Sequence, residues 1–348
     1  MRLRTPTVNE SNRVQEVKIR AVMVREFGDL DSFLIEEQPD PHPGPDEVVI
    51  DVHATAVNFV DLLVMSGKYQ FLPPRPFTPG KMPAGVITAI GRNVANLTIG
   101  DRILTTAEQG GYAEKAKALA AHCYSIPPSM SFIEAASMAL AFDTAWFALR
   151  ERARLREGQS VLVLGASGGV GLACVQLAKI FGARVIGGIA SAGKSDLVRE
   201  AGAEAVVDLS APDIRKSLRE QIYALNEGKG VDVVIDPLGD KFFEAALRAL
   251  AWCGRLVVVG FAAGEIPTVK ANYLLVKNIE VSGLQVSDYR KREPARMGEC
   301  FAEIFDLFTR GSLKAAPTTA LPLDKFAEAL RQVQSRTAPG RLVLTPHL

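Results

Sequence analysis

The segment that most constrains the fold is Gly165-Ala166-Ser167-Gly168-Gly169-Val170-Gly171. A predicted strand at 160–164, with an unbroken apolar run at 161–164, precedes it, and a helical pattern follows at once. Small residues let a backbone turn tightly and approach a pyrophosphate, whose charge is held by amide N–H groups and the helix dipole. Ala166 stands where the strict glycine fingerprint has its first glycine, and alanine is small enough to keep this argument intact. The segment predicts a strand–turn–helix unit that binds a dinucleotide.

The residues around this turn alternate between strand and helix patterns. The predicted strands are 160–164, 185–189, 205–208, 231–235 and 256–260, and the predicted helices are 169–181, 194–201, 214–226 and 241–250. Parallel strands joined by helices of this length are typical of a doubly wound sheet. The continuous β-branched runs fit strands that are buried on both faces.

The part of the chain before residue 130 has a different pattern of predicted secondary structure. Short strand patterns at 21–24 and 48–53 are separated by stretches rich in proline and glycine, and one helix is predicted over 58–66. A longer helical pattern rich in alanine and aromatic residues spans 131–151. The sequence thus predicts a β-rich first third followed by an α/β domain.

The end of the second predicted strand of the α/β domain indicates which dinucleotide is bound. Sites specific for NAD place a carboxylate there for the ribose 2′-hydroxyl. This chain has Ser191 and Lys194 in that region and no carboxylate before Asp196. A lysine attracts a 2′-phosphate that a carboxylate would repel, so the sequence favours NADPH.

Composition narrows the partners and the compartment. The 348 residues carry a net charge of +1, which gives no basic surplus for nucleic acid or an anionic membrane. The four cysteines occur singly, without a C-x-x-C pair, as expected in a reducing cytoplasm. Charged or glycine residues interrupt the apolar stretches before the roughly 20 residues of a membrane span. Residues 1–17 are polar and lack a secretory apolar region, so we expect a disordered extension, with a transit peptide as the alternative.

Several short motifs occur in an order that identifies a family. The chain resembles the zinc-independent quinone oxidoreductase (ζ-crystallin-like) branch of the medium-chain dehydrogenase/reductase superfamily from about Arg20 to Pro346. The resemblance rests on Val57-Asn58-Phe59-Val60-Asp61, Gly67-Lys68-Tyr69, Pro79-Gly80, Ala84-Gly85-Val86, Gly100-Asp101-Arg102, Gly110-Gly111-Tyr112-Ala113-Glu114, Ala135-Ala136, Thr144-Ala145-Trp146, the glycine turn, Asp236-Pro237-Leu238-Gly239 and Gly254-Arg255-Leu256.

The resemblance implies an α/β protein of two domains. A GroES-like, β-barrel-type catalytic domain would comprise 1–142 and 282–348, and a Rossmann domain, a doubly wound parallel sheet over 143–281, would be inserted between these parts. The cofactor would lie in the cleft. Relatives of this type form homodimers through the edges of their Rossmann sheets, and the edge strand here would be 278–284.

The resemblance also implies that the site holds no metal. Zinc-dependent relatives have cysteine where Asn58 stands and His-Glu where this chain has Lys81-Met82. A catalytic zinc needs about three Cys, His or carboxylate ligands, which Asn, Lys and Met do not supply. None of the four histidines is closely paired with another in sequence. Met82 is expected to line the floor of the cleft.

Three residues are the candidates for catalysis. A phenol can hydrogen-bond a substrate oxygen or deliver a proton, which makes Tyr69 the best donor; in related enoyl reductases a tyrosine at this point has that proposed role. Asn58 would hydrogen-bond the cofactor or the substrate oxygen, and it also fits a helix N-cap. Asp61 is expected to order the loop around the cleft rather than to act as an acid.

The resemblance assigns further cofactor contacts. Thr144 would bind the nicotinamide carboxamide, Leu209 would flank the adenine in place of a tyrosine, and Arg341 would close the cleft. Gly260, Phe261 and Ala262 would pass beside the nicotinamide ribose. Outside the site, the spacing of Phe301, Phe305 and Phe308 predicts core packing, and the run 290–292, Arg-Lys-Arg, is expected to be a solvated face.

These features predict an NADPH-dependent oxidoreductase that reduces a small-molecule quinone or a related conjugated carbonyl. The alternative reaction is reduction of the C=C bond of an enone or enoyl thioester. A third possibility is a protein that binds NADPH and catalyses little. Neither nucleic acid nor a membrane is an expected partner.

Overall fold

A computed structural model describes residues 17–348, so the expected extension at 1–17 lies outside the described residues except for Val17. The strands are β1 (Lys18–Met23), β2 (Leu34–Pro39), β3 (Glu47–Ala56), β4 (Ala84–Ile90), β5 (Arg102–Thr105), β6 (Lys115–Leu119), β7 (Cys123–Ser125), β8 (Ser160–Leu164), β9 (Arg184–Ile189), β10 (Ala205–Asp208), β11 (Val231–Asp236), β12 (Leu250–Val258), β13 (Glu280–Gly283), β14 (Thr318–Pro322) and β15 (Arg341–Thr345).

Helices cover the parallel sheet and close the barrel. They are α1 (Phe59–Met65), α2 (Phe132–Phe147), α3 (Gly169–Ile180), α4 (Ser195–Glu200), α5 (Ile214–Leu225), α6 (Asp240–Ala249), α7 (Ala271–Lys277), α8 (Val286–Arg292), α9 (Pro294–Thr309) and α10 (Phe326–Ser335). A π-helical turn, Ala148–Arg152, continues α2.

The second half of the chain folds around a six-stranded sheet in the order β10-β9-β8-β11-β12-β13. Its neighbouring strands pair in parallel, and β8 is buried along its whole length. This is the predicted doubly wound sheet, with the strand order of a Rossmann domain. Such sheets bind ligands beyond the carboxyl ends of the strands where the strand order reverses, which here is between β8 and β11.

The remaining strands form the barrel-type domain. Its main sheet runs β14-β15-β3-β4-β5-β7, β6 pairs with β3, and β1 and β2 form a separate hairpin. The end of the chain thus returns to the first domain: β15 pairs with β3 and so brings Arg341 to the cleft. This return of the chain confirms the predicted GroES-like domain, which is built from both ends of the sequence.

The two predicted domain boundaries fall inside elements. The boundary at 142/143 lies within α2, which packs against both α3 and β3, and the boundary at 281/282 lies within β13. The segment Phe132–Arg152 is long and apolar enough to cross a membrane, and 78% of its apolar window is buried inside the fold. Its apolar character therefore reflects its place in the core between the domains.

Candidate active site

The glycine turn lies at the carboxyl end of β8, as the sequence predicts. Gly165 has φ +60°, a left-handed conformation that favours glycine. A Cβ on Gly171 would lie 2.2 Å from the carbonyl oxygen of Gly165, so the helix can pack this closely on the strand only with glycine there. Gly168 is the N-cap of α3 and has no side chain to satisfy the first amides of the helix. These amides and the helix dipole form a site for an anion.

Arg341 brings a positive charge to this turn from the other domain. Its Nη1 lies 2.9 Å from the position that a Cβ on Gly169 would occupy. Its Nη2 donates to Asn58 Oδ1 at 2.7 Å and its Nε donates to the Ser137 carbonyl at 3.3 Å. Both acceptors are neutral, and within residues 17–348 no carboxylate forms an ion pair with this guanidinium. A cation next to open amides is what a pyrophosphate requires.

Asn58 and Asp61 form the start of α1, on the barrel side of the cleft. Asn58 is the N-cap, and its backbone N–H donates to Asp61 Oδ2 at 2.8 Å. The Tyr112 hydroxyl donates to the same oxygen at 3.0 Å. Burial raises the pKa of Asp61 to about 6, while these hydrogen bonds and the nearby Lys81 act in the opposite direction. The ordering role expected for Asp61 is consistent with these contacts, and Asn58 combines the cap with a contact to Arg341.

Tyr69 lies between the two domains. Its hydroxyl accepts a hydrogen bond from Gln285 Nε2 at 3.3 Å, and Gln285 follows the end of β13. The ammonium of Lys81 lies 5.6 Å from the centre of the Tyr69 ring. The tyrosine is partly buried, and its own O–H proton remains available for a ligand.

The expectation that the run 290–292 forms a solvated face is wrong for Arg290. This side chain is 2% exposed, and its Nη2 lies 2.7 Å from Asp143 Oδ2, which is fully buried. Its Nη1 lies 2.7 Å from Glu108 Oε1, and the other carboxylate oxygen of Glu108 pairs with Lys81. The network reaches Thr144, whose hydroxyl donates to Asp143 Oδ1 at 3.3 Å. Sequence reasoning missed this network because its members are far apart in the chain.

Asp236 at the end of β11 is a second residue that sequence reasoning did not single out as a site. Its Oδ1 accepts from the amides of Leu238 and Gly239 at 2.8 and 2.9 Å. Its Oδ2 is buried without a hydrogen-bond partner among residues 17–348, and burial raises its pKa to about 6. The only sequence signal was its place in the motif Asp236-Pro237-Leu238-Gly239. An unpartnered buried oxygen at the reversal point of the strand order fits a polar ligand in this crevice.

The residues expected around the two ends of the dinucleotide lie at the carboxyl edge of the same sheet. Ser191 and Lys194 follow β9, and Lys194 has no ion pair in the described part of the chain. Gly260, Phe261 and Ala262 follow β12, and the Ala262 amide donates to the Pro237 carbonyl at 3.0 Å. This second group therefore lies beside the loop after β11.

Leu209 has a different environment. It is 3% exposed in the core of the sheet domain, and a Cβ on Gly188 would lie 3.1 Å from its Cδ1. Ala166 is also fully buried, and its amide donates to the Gly188 carbonyl at 3.0 Å. The contact between Leu209 and adenine stays a prediction, and Ala166 contributes to the turn through its backbone and its small size.

These residues fit a nicotinamide dinucleotide and do not form a metal site. The open helix terminus, with Arg341 beside it, follows β8, and the unpartnered oxygen of Asp236 lies at the end of β11, so both flank the point where the strand order reverses. Within residues 17–348, no group of three or more His, Cys, Asp or Glu side chains is placed to hold a metal ion. The fold and the site thus define a two-domain nucleotide-dependent oxidoreductase.

Comparisons with known proteins agree with this class. Residues 44–128 match the family model of the alcohol dehydrogenase GroES-like domain, and residues 169–303 match that of the zinc-binding dehydrogenases. The quinone oxidoreductase-like protein 2 homolog of Nematostella vectensis is 36% identical over 329 residues, which cover 93% of this chain and 88% of the relative.

Solved structures of similar fold belong to the same class of oxidoreductase. The Escherichia coli quinone oxidoreductase complexed with NADPH has a TM-score of 0.86 at 27% identity, covering 94% of this chain and 100% of that one. The CurK enoyl reductase has a TM-score of 0.84 at 26% identity, covering 94% and 99%. The chain belongs to the zinc-independent quinone oxidoreductase branch of the medium-chain dehydrogenase/reductase superfamily. It is a medium-chain reductase.

Proposed function

We propose that this reductase uses NADPH to reduce quinones or related conjugated carbonyl compounds by transfer from nicotinamide C4. The observation that carries the proposal is the pairing of the open N-terminus of α3 with Arg341, whose hydrogen-bond acceptors are neutral. This arrangement suits a pyrophosphate, and the rest of the nucleotide would then lie in the cleft between the domains. The quinone oxidoreductase that binds NADPH in the same fold supports the choice of cofactor and substrate.

The residues that would hold the nucleotide are distributed along its length. The amides of 169–171 and Arg341 would bind the pyrophosphate. Thr144 would hydrogen-bond the carboxamide, and Ser191 and Lys194 would bind the 2′-phosphate. When bound, the reduced nicotinamide supplies two electrons and a proton as hydride.

The protein's own part in the reaction is to orient the acceptor and to stabilise charge on its oxygen. Tyr69 is suited to this because Gln285 donates to its oxygen and so directs the phenolic proton away from itself. Asn58 is fixed by its contacts with Arg341 and with the Ala56 carbonyl, the latter at 3.1 Å. Met82, which the sequence places at the floor of the cleft, is 1% exposed and packs in the hydrophobic core, so its side chain does not line the cleft.

Reduction of a conjugated C=C bond is the second candidate, because an enoyl reductase shares the fold over 94% of this chain. Both reactions place negative charge on a carbonyl oxygen, so both could use the same donors. Binding of NADPH with little catalysis is a third candidate, and it predicts nucleotide binding without turnover on any acceptor.

Steady-state turnover with NADPH separates these candidates. We expect 9,10-phenanthrenequinone to be reduced with a higher kcat/KM than crotonyl-CoA. A hundredfold preference for the thioester would contradict the quinone proposal and support the enoyl reductase. Quenching of tryptophan fluorescence by NADPH, without turnover of either compound, would favour the binding protein.

We further propose that the protein is a cytoplasmic homodimer joined at the edge strand β13. The helix before this strand, α7, buries none of its residues, and Leu275 and Val276 are 79% and 72% exposed. An unpaired strand edge next to exposed apolar side chains favours pairing with a second copy. The described cysteines are all free, as expected in a reducing compartment.

A further inference from the structure

Lys81 is an almost fully buried lysine of the barrel domain. The side chain is only 5% exposed, although lysine is rarely buried. It lies between Gly80, with φ +93°, and Met82, with φ +57°. A left-handed conformation is uncommon for a methionine and marks local strain. This strained turn directs the lysine inward.

The two direct contacts of Lys81 lie in the barrel domain, and each of them reaches the segment that follows β13. Its ammonium pairs with Glu108 and faces the Tyr69 ring at 5.6 Å. Glu108 also binds Arg290 on α8, the helix that begins just beyond the carboxyl end of β13. Tyr69 reaches the same end of β13 through Gln285. Lys81 therefore lies beside the crevice in which a nicotinamide and its acceptor would meet.

Lys81 and Arg290 together balance the charges of the two carboxylates in this network, Asp143 and Glu108. Arg290 already compensates Asp143 through contacts at 3.1 and 2.7 Å and contacts Glu108 at 2.7 Å. A buried ion pair contributes little net stability, because desolvation of its charges offsets their attraction. An ammonium has three donor hydrogens, and among the described residues Glu108 is its hydrogen-bond partner. Donor capacity thus remains for a ligand.

We propose that Lys81 is a catalytic residue that donates a hydrogen bond to the carbonyl oxygen of the acceptor, beside Tyr69. This inference rests on the proposed function and deepens it. It assigns to the site a preference for acceptors whose oxygen becomes anionic, such as quinones and enones. A preorganised cation in a water-poor site stabilises such an oxygen far better than water does.

When bound, the reduced nicotinamide would supply a hydride from C4: that C–H bond breaks, the nicotinamide is oxidised, and the hydride forms a new bond to the conjugated system of the acceptor. The electron pair displaced from that system moves to the acceptor's carbonyl oxygen, whose C=O bond becomes a single bond. The oxyanion that forms is hydrogen-bonded by the Lys81 ammonium. A proton from solvent then completes the product, and the lysine keeps its charge.

The test uses 4-nitrophenol as a stable mimic of this oxygen, with the full-length protein and oxidised NADP⁺ so that no turnover occurs. The pKa of the bound phenol is read from the absorbance of its phenolate. Wild type should lower that pKa relative to the free phenol, and Lys81→Met should abolish the lowering while leaving the affinity for NADPH unchanged. With NADPH and phenanthrenequinone, Lys81→Met should reduce kcat about 100-fold.

Two further variants test whether Lys81→Met acts by disturbing the fold. Lys81→Met/Glu108→Gln removes both charges of the pair, and Lys81→Arg keeps the positive charge. The double variant should lose the pKa lowering, and the arginine variant should retain part of it. The matched control is Lys115→Met, which removes a barrel lysine that pairs with Asp40 and should behave as wild type.

The results separate this inference from the proposed function. If wild type does not lower the pKa of the bound phenol, or if Lys81→Met still lowers it, Lys81 is not the donor. If wild type lowers the pKa through Lys81 yet reduces no quinone, the oxyanion site stands and the proposed function fails. If wild type reduces quinones and Lys81→Met turns over equally fast, the inference alone fails.

Discussion

Arg341 Nη2 donates to Asn58 Oδ1 across 2.7 Å, and this contact joins the last strand of the barrel to the cap of α1. The same guanidinium lies against Gly169, the first residue of α3. Burial lowers the pKa of Arg341, and the nearby Asp61 raises it, but arginine remains charged in proteins. One side chain thus connects the barrel, the proposed substrate side of the cleft and the nucleotide turn.

Replacing Arg341 with methionine should weaken the binding of NADPH and NADH alike. The pyrophosphate is common to both cofactors, and the loss of a charge-assisted hydrogen bond costs about 1.5–3 kcal/mol, or at least about tenfold in Kd. Titration calorimetry with each cofactor measures the effect. Arg310→Met is the control, because Arg310 is 70% exposed and pairs with Asp306 on α9. Unchanged affinity in Arg341→Met would remove this residue from the nucleotide site.

Lys194→Ala should instead separate the two cofactors. If Lys194 binds the 2′-phosphate, the variant loses roughly 1.5–3 kcal/mol of NADPH affinity and little of its NADH affinity. The ratio of the two Kd values, measured by tryptophan fluorescence, is the readout. Lys216→Ala on α5 serves as the control, because its ammonium is exposed and lies 3.8 Å from Glu220. An equal loss for both cofactors would mean that Lys194 does not distinguish them.

The sequence predicts the strands and the glycine turn of the nucleotide-binding domain because their signals are local. The bounds of β8 and β10 agree with the strands predicted at 160–164 and 205–208. A buried parallel strand is a continuous apolar run, and the turn after it needs small residues in consecutive positions. Both patterns can be read within a few residues.

The buried charges could not be predicted in the same way. Arg290 contacts Asp143 across 147 positions of sequence, and nothing in its basic run distinguishes it from the more exposed Lys291 and Arg292. In the sequence, Lys81 stands out only because it cannot serve as a zinc ligand. Pairing of this kind depends on how the domains meet, which neither periodicity nor spacing encodes.

Tyr69→Phe should lower kcat for a quinone acceptor with little change in the Kd for NADPH. The substitution removes the phenolic proton and keeps the ring beside Lys81. The loss of one hydrogen-bond donor to a developing oxyanion lowers kcat by about 100-fold to 1,000-fold. Gln285 also loses its acceptor, so Gln285→Leu should give a smaller reduction of kcat. Tyr223→Phe on α5 is the control, and unaltered turnover in Tyr69→Phe would exclude the tyrosine from the mechanism.

Asp61 should make stability depend on pH in a predictable direction. Burial raises its folded pKa to about 6 from the ordinary 3.8, so the folded protein binds this proton more tightly than the unfolded chain does. The stability of wild type relative to Asp61→Asn should therefore fall as the pH rises from about 4 to about 6, by about 3 kcal/mol. Urea unfolding of both proteins at several pH values measures this. A constant difference between them would contradict the raised pKa.

The proposed dimer contact involves α7 and β13. Wild type should sediment as a dimer, and Leu275→Asp should shift it towards the monomer, because a carboxylate in an apolar contact must lose its hydration. Ile99→Asp is a matched control: Ile99 is also an exposed apolar residue, at 65%, but lies in the barrel domain before β5. Sedimentation velocity over a range of concentrations measures both variants, with nucleotide binding as a test of folding. The proposed interface is excluded if wild type is monomeric throughout, or if Leu275→Asp remains as dimeric as Ile99→Asp.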